Sequence, residues 1–189
     1  MAEADAVNVL VLVGSLRAES INRQIAALAA DNAPAGVVLT MHEGLGQVPF
    51  YNEDLDNDNV PAAAAALRDA ALAADAVLAV TPEYNGTIPA VLKNAIDWLS
   101  RPYGDSAIKG KPVAIIGAAL GRYGGTWAHD EARKSFGIAG ARPVEDAVLS
   151  VPTTEFDGKH PGEHATFSGQ LREVLTKLSG QVATSLVAN

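Results

Sequence analysis

The strongest constraint in this sequence is the alternation of short apolar runs with longer stretches of helical spacing. Five runs rich in Val, Leu, Ile and Ala, each bounded by Gly, Pro or charged residues, predict β-strands at 7–13, 37–41, 76–80, 113–117 and 144–148. Helical periodicity predicts helices at about 20–31, 61–74, 89–100, 125–136 and 165–179. Strands that alternate with helices form βαβ crossovers. The sequence therefore predicts an α/β fold of three layers, with a parallel sheet covered by helices on both faces.

The 189 residues suffice for one domain with a full hydrophobic core. There is no internal repeat, no linker and no break in composition, so we expect a single domain over 1–189 with its core at about 7–178. Whether 181–189 is a frayed tail stays open. Only 5% of the residues are aromatic, so the core must rest on Val, Leu and Ile, with Ala allowing close packing. The long segment 43–60 contains QVPFY at 47–51, which we expect to pack over the surface.

Charge and cysteine content exclude several classes of protein. The 14 Lys and Arg against 22 Asp and Glu give a net charge of −8, which argues against nucleic acid as a partner. The absence of Cys excludes disulfides, a thiolate nucleophile, iron–sulfur clusters and Cys-ligated zinc. The acidic start of the sequence is unlike a secretory signal, and no apolar stretch approaches the roughly 20 residues that span a bilayer. We therefore expect a cytoplasmic protein without a membrane partner.

Three loops hold most of the residues that are suited to binding a ligand. In an open parallel sheet, ligands bind beyond the carboxyl ends of the strands, near the point where the strand order reverses. The loops that leave predicted strands at this edge are loop 1 (14–22, GSLRAESIN), loop 2 (81–90, TPEYNGTIPA) and loop 3 (118–125, AALGRYGG). All three are rich in Gly, hydroxyl or amide residues, so we expect the binding site among them.

Loop 1 has the composition of a phosphate-binding turn. Gly14 permits a sharp exit from the strand, and Ser15 and Ser20 offer hydroxyls. Arg17 offers a guanidinium, and the start of the next helix adds free N–H groups and the positive end of the helix dipole. The loop lacks the lysine of a P-loop, and it is not a GxGxxG fingerprint. The alternative is an ordinary strand-to-helix turn with an N-capping Ser.

Loops 2 and 3 are suited to contact a flat heterocycle. In loop 2, Pro82 and Pro89 stiffen the backbone, Gly86 allows an unusual conformation, and Tyr84 is available for stacking. Loop 3 has three glycines within five positions before a helix, where the backbone can approach a ligand closely. The alternatives are a plain Asn85-Gly86 turn with a packing Tyr84 in loop 2, and a flexible connection in loop 3.

Side chains that could react directly are not arranged for catalysis. His160 and His164 have i,i+4 spacing, but the intervening Pro-Gly argues against one helix face and therefore against a metal site. The acidic residues of 54–58 lack the downstream Gly and Glu of a calcium loop, so we expect a solvated acidic loop there. The other two histidines, His42 and His129, stand alone. No catalytic residue and no metal are therefore expected, and a cofactor would carry the chemistry.

Two motifs give the chain a family likeness. GSLRAESIN at 14–22 and PEYNGTIPAVLKNAIDW at 82–98 together resemble the NAD(P)H-dependent FMN reductase family, which includes bacterial quinone, azo-dye and chromate reductases. The likeness extends over about 7–178 and includes VPFY at 48–51 and KPV at 111–113. It implies a flavodoxin-like fold with the sheet order 2-1-3-4-5. It also implies one bound FMN per subunit, NAD(P)H as electron donor, and a homodimer or homotetramer with FMN near a subunit interface.

The resemblance also implies the roles of residues in the three loops. Five residues of loop 1 would hold the FMN phosphate: Ser15, Arg17, Ser20, Ile21 and Asn22. Five residues of loop 2 would line the isoalloxazine ring: Pro82, Glu83, Tyr84, Asn85 and Gly86. Loop 3 would lie near the pyrimidine end of the ring through residues that include Ala118 and Gly121. The chain departs from the family pattern at four positions, which leaves flavin tuning, interface contacts and substrate preference open: Ala90, Ala118, Ala119 and Trp127.

The resemblance implies an FMN-dependent oxidoreductase with ping-pong hydride transfer. Electrons would pass from NAD(P)H through bound FMN to a quinone, an azo compound, free flavin or a metal oxyanion such as chromate. The alternatives are a flavodoxin-type electron carrier, which would not use NAD(P)H, and a non-catalytic flavin-binding regulator. The sequence leaves open the physiological acceptor, the preference between NADH and NADPH, the choice of dimer or tetramer, and whether a partner enzyme receives reduced flavin.

Overall fold

The computed structural model describes residues 6–187, with side chains described through residue 182. Within this part of the chain, five strands form one sheet: β1 (Val7–Val13), β2 (Val37–Met41), β3 (Ala76–Val80), β4 (Pro112–Ala119) and β5 (Arg142–Pro152). Their order across the sheet is β2-β1-β3-β4-β5, and every pairing is parallel. The structure confirms the predicted α/β fold and the sheet order 2-1-3-4-5.

Helices cover both faces of the sheet. They are α1 (Ile21–Asp31), α2 (Ala62–Ala73), α3 (Ala90–Leu99), α4 (Thr126–Ile138) and α5 (Phe167–Val187). The apolar sides of α2, α3 and α4 pack on the face that holds Leu10 and Leu12 of β1. Those of α1 and α5 pack on the face that holds Val9 and Val11. Because successive strand residues point to opposite faces, a strand buried on both sides needs a continuous apolar run, as β1 has.

Strands β1, β2 and β3 have the predicted boundaries, whereas β4 and β5 are longer than predicted. At its start, β5 pairs Arg142 with Pro112, and at its end it pairs Pro152 with Ala119. The apolar pattern at 144–148 marks only the middle of this strand. Its outer residues include charged and proline side chains, which pairing with β4 holds in the sheet without full burial.

The last helix is also longer than the predicted 165–179. It begins at Phe167 and continues to Val187, so it takes in most of the segment 181–189, whose state the sequence left open. Residues 188–189 lie outside the described residues. Within residues 6–187, every helix is too short or too polar to cross a lipid bilayer.

The segment 43–60 packs against α3, which confirms the expectation for 47–51. The Tyr51 N–H donates to Asn94 Oδ1 (2.8 Å), and the indole N–H of Trp98 donates to the Pro49 carbonyl (2.7 Å). Trp98 is fully buried, and its ring meets the Tyr51 ring edge-on, with centroids 5.1 Å apart. These bonds satisfy backbone groups of a segment that joins no strand.

The expectation of a solvated loop at 54–58 is wrong for Asp56. Its two carboxylate oxygens accept from the two terminal nitrogens of Arg68, at 2.7 and 2.8 Å, and only 12% of its side chain is exposed. These bonds lower the pKa of Asp56 below its usual value. Arg68 also donates from Nε to the Trp98 carbonyl (3.0 Å). Asp56 therefore fastens the acidic loop to α2 and, through Arg68, to the end of α3.

Candidate functional site

The three loops leave the sheet at its carboxyl edge, on both sides of the point where the strand order reverses. From β1 the chain crosses to β2 at one edge of the sheet, whereas from β3 it continues through β4 to β5 at the other. The reversal therefore lies between β1 and β3, whose carboxyl ends carry loops 1 and 2. A crevice at such a reversal is where ligands bind in open parallel sheets.

Where loops 1 and 2 leave the sheet, Thr81 lies too close to Gly14 and Gly117 for either position to hold a side chain. A Cβ added to Gly14 would lie 2.2 Å from Thr81 Oγ1, and one added to Gly117 would lie 2.1 Å from the Thr81 carbonyl oxygen. The Thr81 N–H donates to the Ile116 carbonyl at 2.9 Å. The glycines at 14 and 117 therefore allow Thr81, at the start of loop 2, to lie directly between the ends of β1 and β4.

Loop 1 ends at the N-terminus of α1, which Ser20 caps. The Ser20 hydroxyl accepts from the Arg23 N–H in the first helical turn at 3.4 Å, and the Ser15 hydroxyl accepts from the Arg17 N–H at 3.4 Å. The N–H groups of Ile21 and Asn22 have no acceptor among the described residues. Arg17 forms no ion pair with any described acid. Backbone N–H donors without acceptors and a guanidinium without a described acidic partner, both at a helix N-terminus, are suited to bind a phosphate.

Asn22 joins α1 to β4 through its side chain. Its Oδ1 accepts from the Ala118 N–H at 2.8 Å, and its Nδ2 donates to the Ala118 carbonyl at 2.9 Å. Both residues are buried. Ala118 lies within β4, so the prediction that loop 3 begins there is corrected: the loop leaves the strand after Ala119. The predicted contacts of Asn22 with phosphate and of Ala118 with flavin stay predictions, and the observed bonds join the start of α1 to the end of β4.

Residues 84–87 of loop 2 form a tight hairpin turn. The Tyr84 N–H donates to the Thr87 carbonyl (3.0 Å), and the Thr87 N–H donates back to the Tyr84 carbonyl (3.1 Å). The φ angles of Asn85 and Gly86 are 55° and 78°, which is the pattern of a type I′ turn, and Asn-Gly is the favoured pair there. The N–H groups of Asn85 and Gly86 have no acceptor in the described part of the chain. The turn therefore offers two backbone donors beside the exposed Tyr84 ring.

Helix α4 holds loop 2 by two side-chain bonds. A carboxylate oxygen of Glu83 accepts from the Ala128 N–H in the first turn of α4 at 3.2 Å. The Thr87 hydroxyl donates to the carboxylate of Glu131, farther along the helix. A carboxylate at a helix N-terminus is favourable because the unpaired N–H groups there carry partial positive charge. Glu83, predicted to line the flavin, thus directs its carboxylate to α4.

His129, which no sequence motif marks as part of the site, lies at the same end of α4. It is fully buried; its Nε2 lies 3.1 Å from the Thr81 carbonyl oxygen, and its Nδ1 lies 2.6 Å from Ser150 Oγ. Burial lowers the pKa of His129 below the usual value for histidine. These partners are 48 and 21 positions away along the chain, so no local pattern could identify them.

Aromatic side chains flank loops 2 and 3. The rings of Tyr123 and Trp127 have centroids 5.7 Å apart, and about half of each side chain is exposed. A Cβ added to Gly86 would lie 3.8 Å from the Trp127 indole, which places this ring beside the turn of loop 2. The Arg122 guanidinium lies 4.4 Å from the Tyr123 ring centroid. Gly121, predicted to approach the flavin, is exposed at the start of the turn in loop 3.

A cavity of about 370 Å³ opens beside loop 1, lined by residues that include Ser15, Arg17 and His42. A larger cavity of about 630 Å³ lies between α3 and α4, where Arg101 and Ile138 are among the lining residues. The larger cavity contains none of the predicted site residues. Its lining comes from the middle and end of α3, from the loop after α3 and from the end of α4, and it includes no residue of loops 1, 2 or 3.

Comparison with known proteins supports the family resemblance that the motifs in loops 1 and 2 indicate. The family model described as NADPH-dependent FMN reductase matches residues 7–155. A quinone reductase of Pseudomonas putida is 46% identical over 128 residues, which cover 68% of each chain. An NAD(P)H-dependent FMN reductase of Pseudomonas aeruginosa is 37% identical over 158 residues, covering 82% of this chain and 84% of the relative. Among solved structures, the flavoenzyme NAD(P)H:(acceptor) oxidoreductase FerB of Paracoccus denitrificans superposes with a TM-score of 0.80 at 30% identity, covering 93% of this chain and 99% of FerB.

Proposed function

Because the chain belongs to the NADPH-dependent FMN reductase family, we propose that loops 1, 2 and 3 hold its FMN and that its electron acceptor is a quinone. The protein is an NAD(P)H-dependent flavin oxidoreductase. The observation that carries the assignment of the site is the position of a phosphate-type loop and a hairpin turn with free donors at the two strands where the sheet order reverses. The quinone is supported by the name of the 46% identical relative.

Loop 1 fits the phosphate group of FMN. Arg17 has no described acid as a partner, and the N–H groups of Ile21 and Asn22 lack acceptors in the described chain. The Ser15 and Ser20 hydroxyls stand at either end of the loop and can donate as well as accept. These groups together would neutralise and orient a phosphate dianion at the start of α1.

Loop 2 and loop 3 fit the ring system. When bound, FMN supplies the two-electron chemistry, taking a hydride from NAD(P)H and passing it to the acceptor. The free N–H groups of Asn85 and Gly86 would donate to polar atoms at the ring edge. The N-terminus of α4 would favour negative charge on the reduced ring. Pro82 and the Glu83 bond to α4 would hold loop 2 so that these donors need not reorganise during the reaction.

We also propose a homodimer or homotetramer with the flavin near a subunit interface, in the cytoplasm. Several large apolar side chains on loops 1 and 3 and at the start of α4 are exposed: Leu16, Leu120, Tyr123 and Trp127. Burying such residues in a contact with another copy would remove apolar surface from water. The cytoplasmic location is supported by the use of NAD(P)H, which is held inside the cell.

A visible spectrum of the purified protein, recorded before and after anaerobic NADPH and then NADH, tests the proposed function. We expect a flavin band that bleaches within seconds of adding the preferred donor and returns when a benzoquinone is added. Addition of chromate, an azo dye or free FMN to separate samples would rank the acceptors. The control is the same protein with the acceptor but without NAD(P)H, which should leave the acceptor unchanged.

Other outcomes would contradict the proposal in distinguishable ways. A flavin band that neither donor bleaches would favour an electron carrier or a regulator. Bleaching that chromate or an azo dye reverses faster than any quinone would contradict the choice of acceptor only. A protein that neither contains flavin nor binds added FMN would contradict the assignment of all three loops.

A further inference from the structure

His129 is a buried polar residue for which the proposed chemistry has no direct use. Its side chain lies in the first turns of α4 and contacts two other elements: Thr81 at the end of β3 and Ser150 in β5. It is fully shielded from solvent, so its hydrogen bonds have no competition from water. Removing a partner of either ring nitrogen would leave a buried polar group without a hydrogen bond, which lowers the free energy of unfolding.

The two partners determine which ring nitrogen carries the proton. The Thr81 carbonyl oxygen can only accept, so Nε2 must be protonated and donate to it at 3.1 Å. In a neutral imidazole, Nδ1 is then an acceptor, and the Ser150 hydroxyl donates to it at 2.6 Å. Burial lowers the pKa of the ring, which favours this neutral form. The Thr81 carbonyl therefore sets the tautomer, and the Ser150 hydroxyl, which can donate or accept, adapts to it.

Thr81 is the residue from which loop 2 departs. Its N–H donates to the Ile116 carbonyl (2.9 Å), and its hydroxyl donates to the Pro82 carbonyl (3.0 Å). Its own carbonyl oxygen faces Gly117, which leaves His129 as the side chain bonded to it. The direction in which Pro82 and the following residues leave the sheet thus depends on a carbonyl that His129 holds.

A second hydrogen bond from the first turn of α4 also holds loop 2. The Ala128 N–H donates to Glu83 at 3.2 Å, one residue before His129 in the helix and two residues after Thr81 in the loop. Residues 81–83 are therefore bonded to α4 at both ends. A small displacement of α4 would move the Asn85-Gly86 donors with it.

We propose that His129 is a positioning residue for the flavin: its Nε2–H holds the Thr81 carbonyl and so fixes loop 2 in the geometry that contacts the ring. This inference rests on the proposed function, because loop 2 must be the part of the site that lines the isoalloxazine. The essential feature is a donor at the position of Nε2. A group that reaches only the position of Nδ1 would bond Ser150 and leave the Thr81 carbonyl without a donor.

Two amide substitutions separate these positions. In His129→Gln the carboxamide nitrogen can occupy the place of Nε2, whereas in His129→Asn it reaches only the place of Nδ1. For each variant we would measure the FMN dissociation constant of the apoprotein by fluorescence, the visible spectrum of bound FMN, and kcat and KM for NADPH separately. We expect His129→Asn to weaken FMN binding about tenfold, which corresponds to the loss of one buried hydrogen bond. We also expect a changed flavin spectrum, with His129→Gln close to wild type in both.

Phe136→Leu provides a control for a general loss of stability. Phe136 is fully buried on the same helix but belongs to the apolar core rather than to the loops. It should lower the thermal unfolding midpoint while leaving FMN affinity and the flavin spectrum unchanged. If His129→Asn binds FMN as tightly as His129→Gln, or if Phe136→Leu changes the spectrum as much as His129→Asn does, the positioning role is wrong. A wild-type protein that fails to bind FMN would overturn the proposed function and this inference with it.

Discussion

Arg17 is the only guanidinium in loop 1, and none of the described acids pairs with it. A charge-assisted hydrogen bond to phosphate contributes about 1.5–3 kcal/mol to binding. We therefore expect Arg17→Ala to raise the FMN dissociation constant by about 10- to 100-fold. Titration of the apoprotein with FMN, followed by quenching of the flavin fluorescence, measures this change directly.

The matched control for Arg17 is Arg172→Ala, which removes the same charge from an exposed position on α5. FMN affinity should be unaffected there, apart from a small effect of net charge. Equal affinities of the Arg17→Ala and Arg172→Ala proteins would show that the phosphate is held elsewhere than in loop 1.

Contacts between neighbours in sequence could be predicted, whereas contacts between distant residues could not. The Ser20 cap and the Asn85-Gly86 turn follow from residue types that favour these backbone geometries locally. The bonds of Asn22 to Ala118 and of His129 to Thr81 join residues 96 and 48 positions apart. Their residue types allow many partners, and the sheet decides which partner is near. The hydrogen bonds that Asn22 and His129 form beneath the three loops could therefore not be predicted from the sequence.

At the scale of elements, the Asp56–Arg68 pair connects the acidic loop to α2. Arg68 holds the pKa of Asp56 below its usual 3.8, so the folded protein binds fewer protons than the unfolded chain once the pH approaches that value. The stability that the pair contributes is therefore complete above the usual pKa and is lost as the pH falls through the folded value. We expect Asp56→Asn to lower the free energy of unfolding by about 1–2 kcal/mol at pH 7. Urea denaturation at several pH values should show the difference from wild type shrinking below pH 4 or so.

Asp54→Asn is the control for this pair, since Asp54 lies in the same loop with an exposed side chain that forms no ion pair with a described residue. It should leave stability close to wild type across the same pH range. A difference between Asp56→Asn and wild type that stays constant down to the lowest pH would assign the effect to packing rather than to charge.

The apolar residues of each strand predict where the strand lies, but they do not always predict where it ends. In β1, residues 9–13 are all buried, so its apolar run reaches the C-terminal end of the strand. The strand β5 contains Arg142, Glu145 and Asp146, and half-exposed positions interrupt its pattern. Its length is set by hydrogen bonds to β4, which leave no mark on hydrophobicity. In the segment 43–60, the residues at 47–51 predict packing against the surface. The hydrogen bonds between Asp56 and Arg68 leave no mark on hydrophobicity and could not be predicted.

At the scale of the whole molecule, the proposed site joins loops from three neighbouring strands, so FMN binding should stabilise the fold as a unit. A ligand that binds only the folded state adds RT ln(1 + [L]/Kd), which is about 2.7 kcal/mol at one hundred times the dissociation constant. For a chain of this length we expect the unfolding midpoint to rise by about 5–10 °C. Thermal unfolding of the apoprotein, followed by circular dichroism with and without FMN, measures the shift.

Riboflavin separates the contribution of the phosphate from that of the ring in the same experiment. It carries the isoalloxazine ring but no phosphate, so at equal concentration it should raise the midpoint less than FMN does. In Arg17→Ala the two shifts should move closer together, because one of the groups that would bind the phosphate is gone. In His129→Asn both shifts should fall by similar amounts, since loop 2 would contact the ring that the ligands share. A difference between FMN and riboflavin that persists unchanged in Arg17→Ala would contradict the assignment of the phosphate to loop 1, whatever the fate of loop 2.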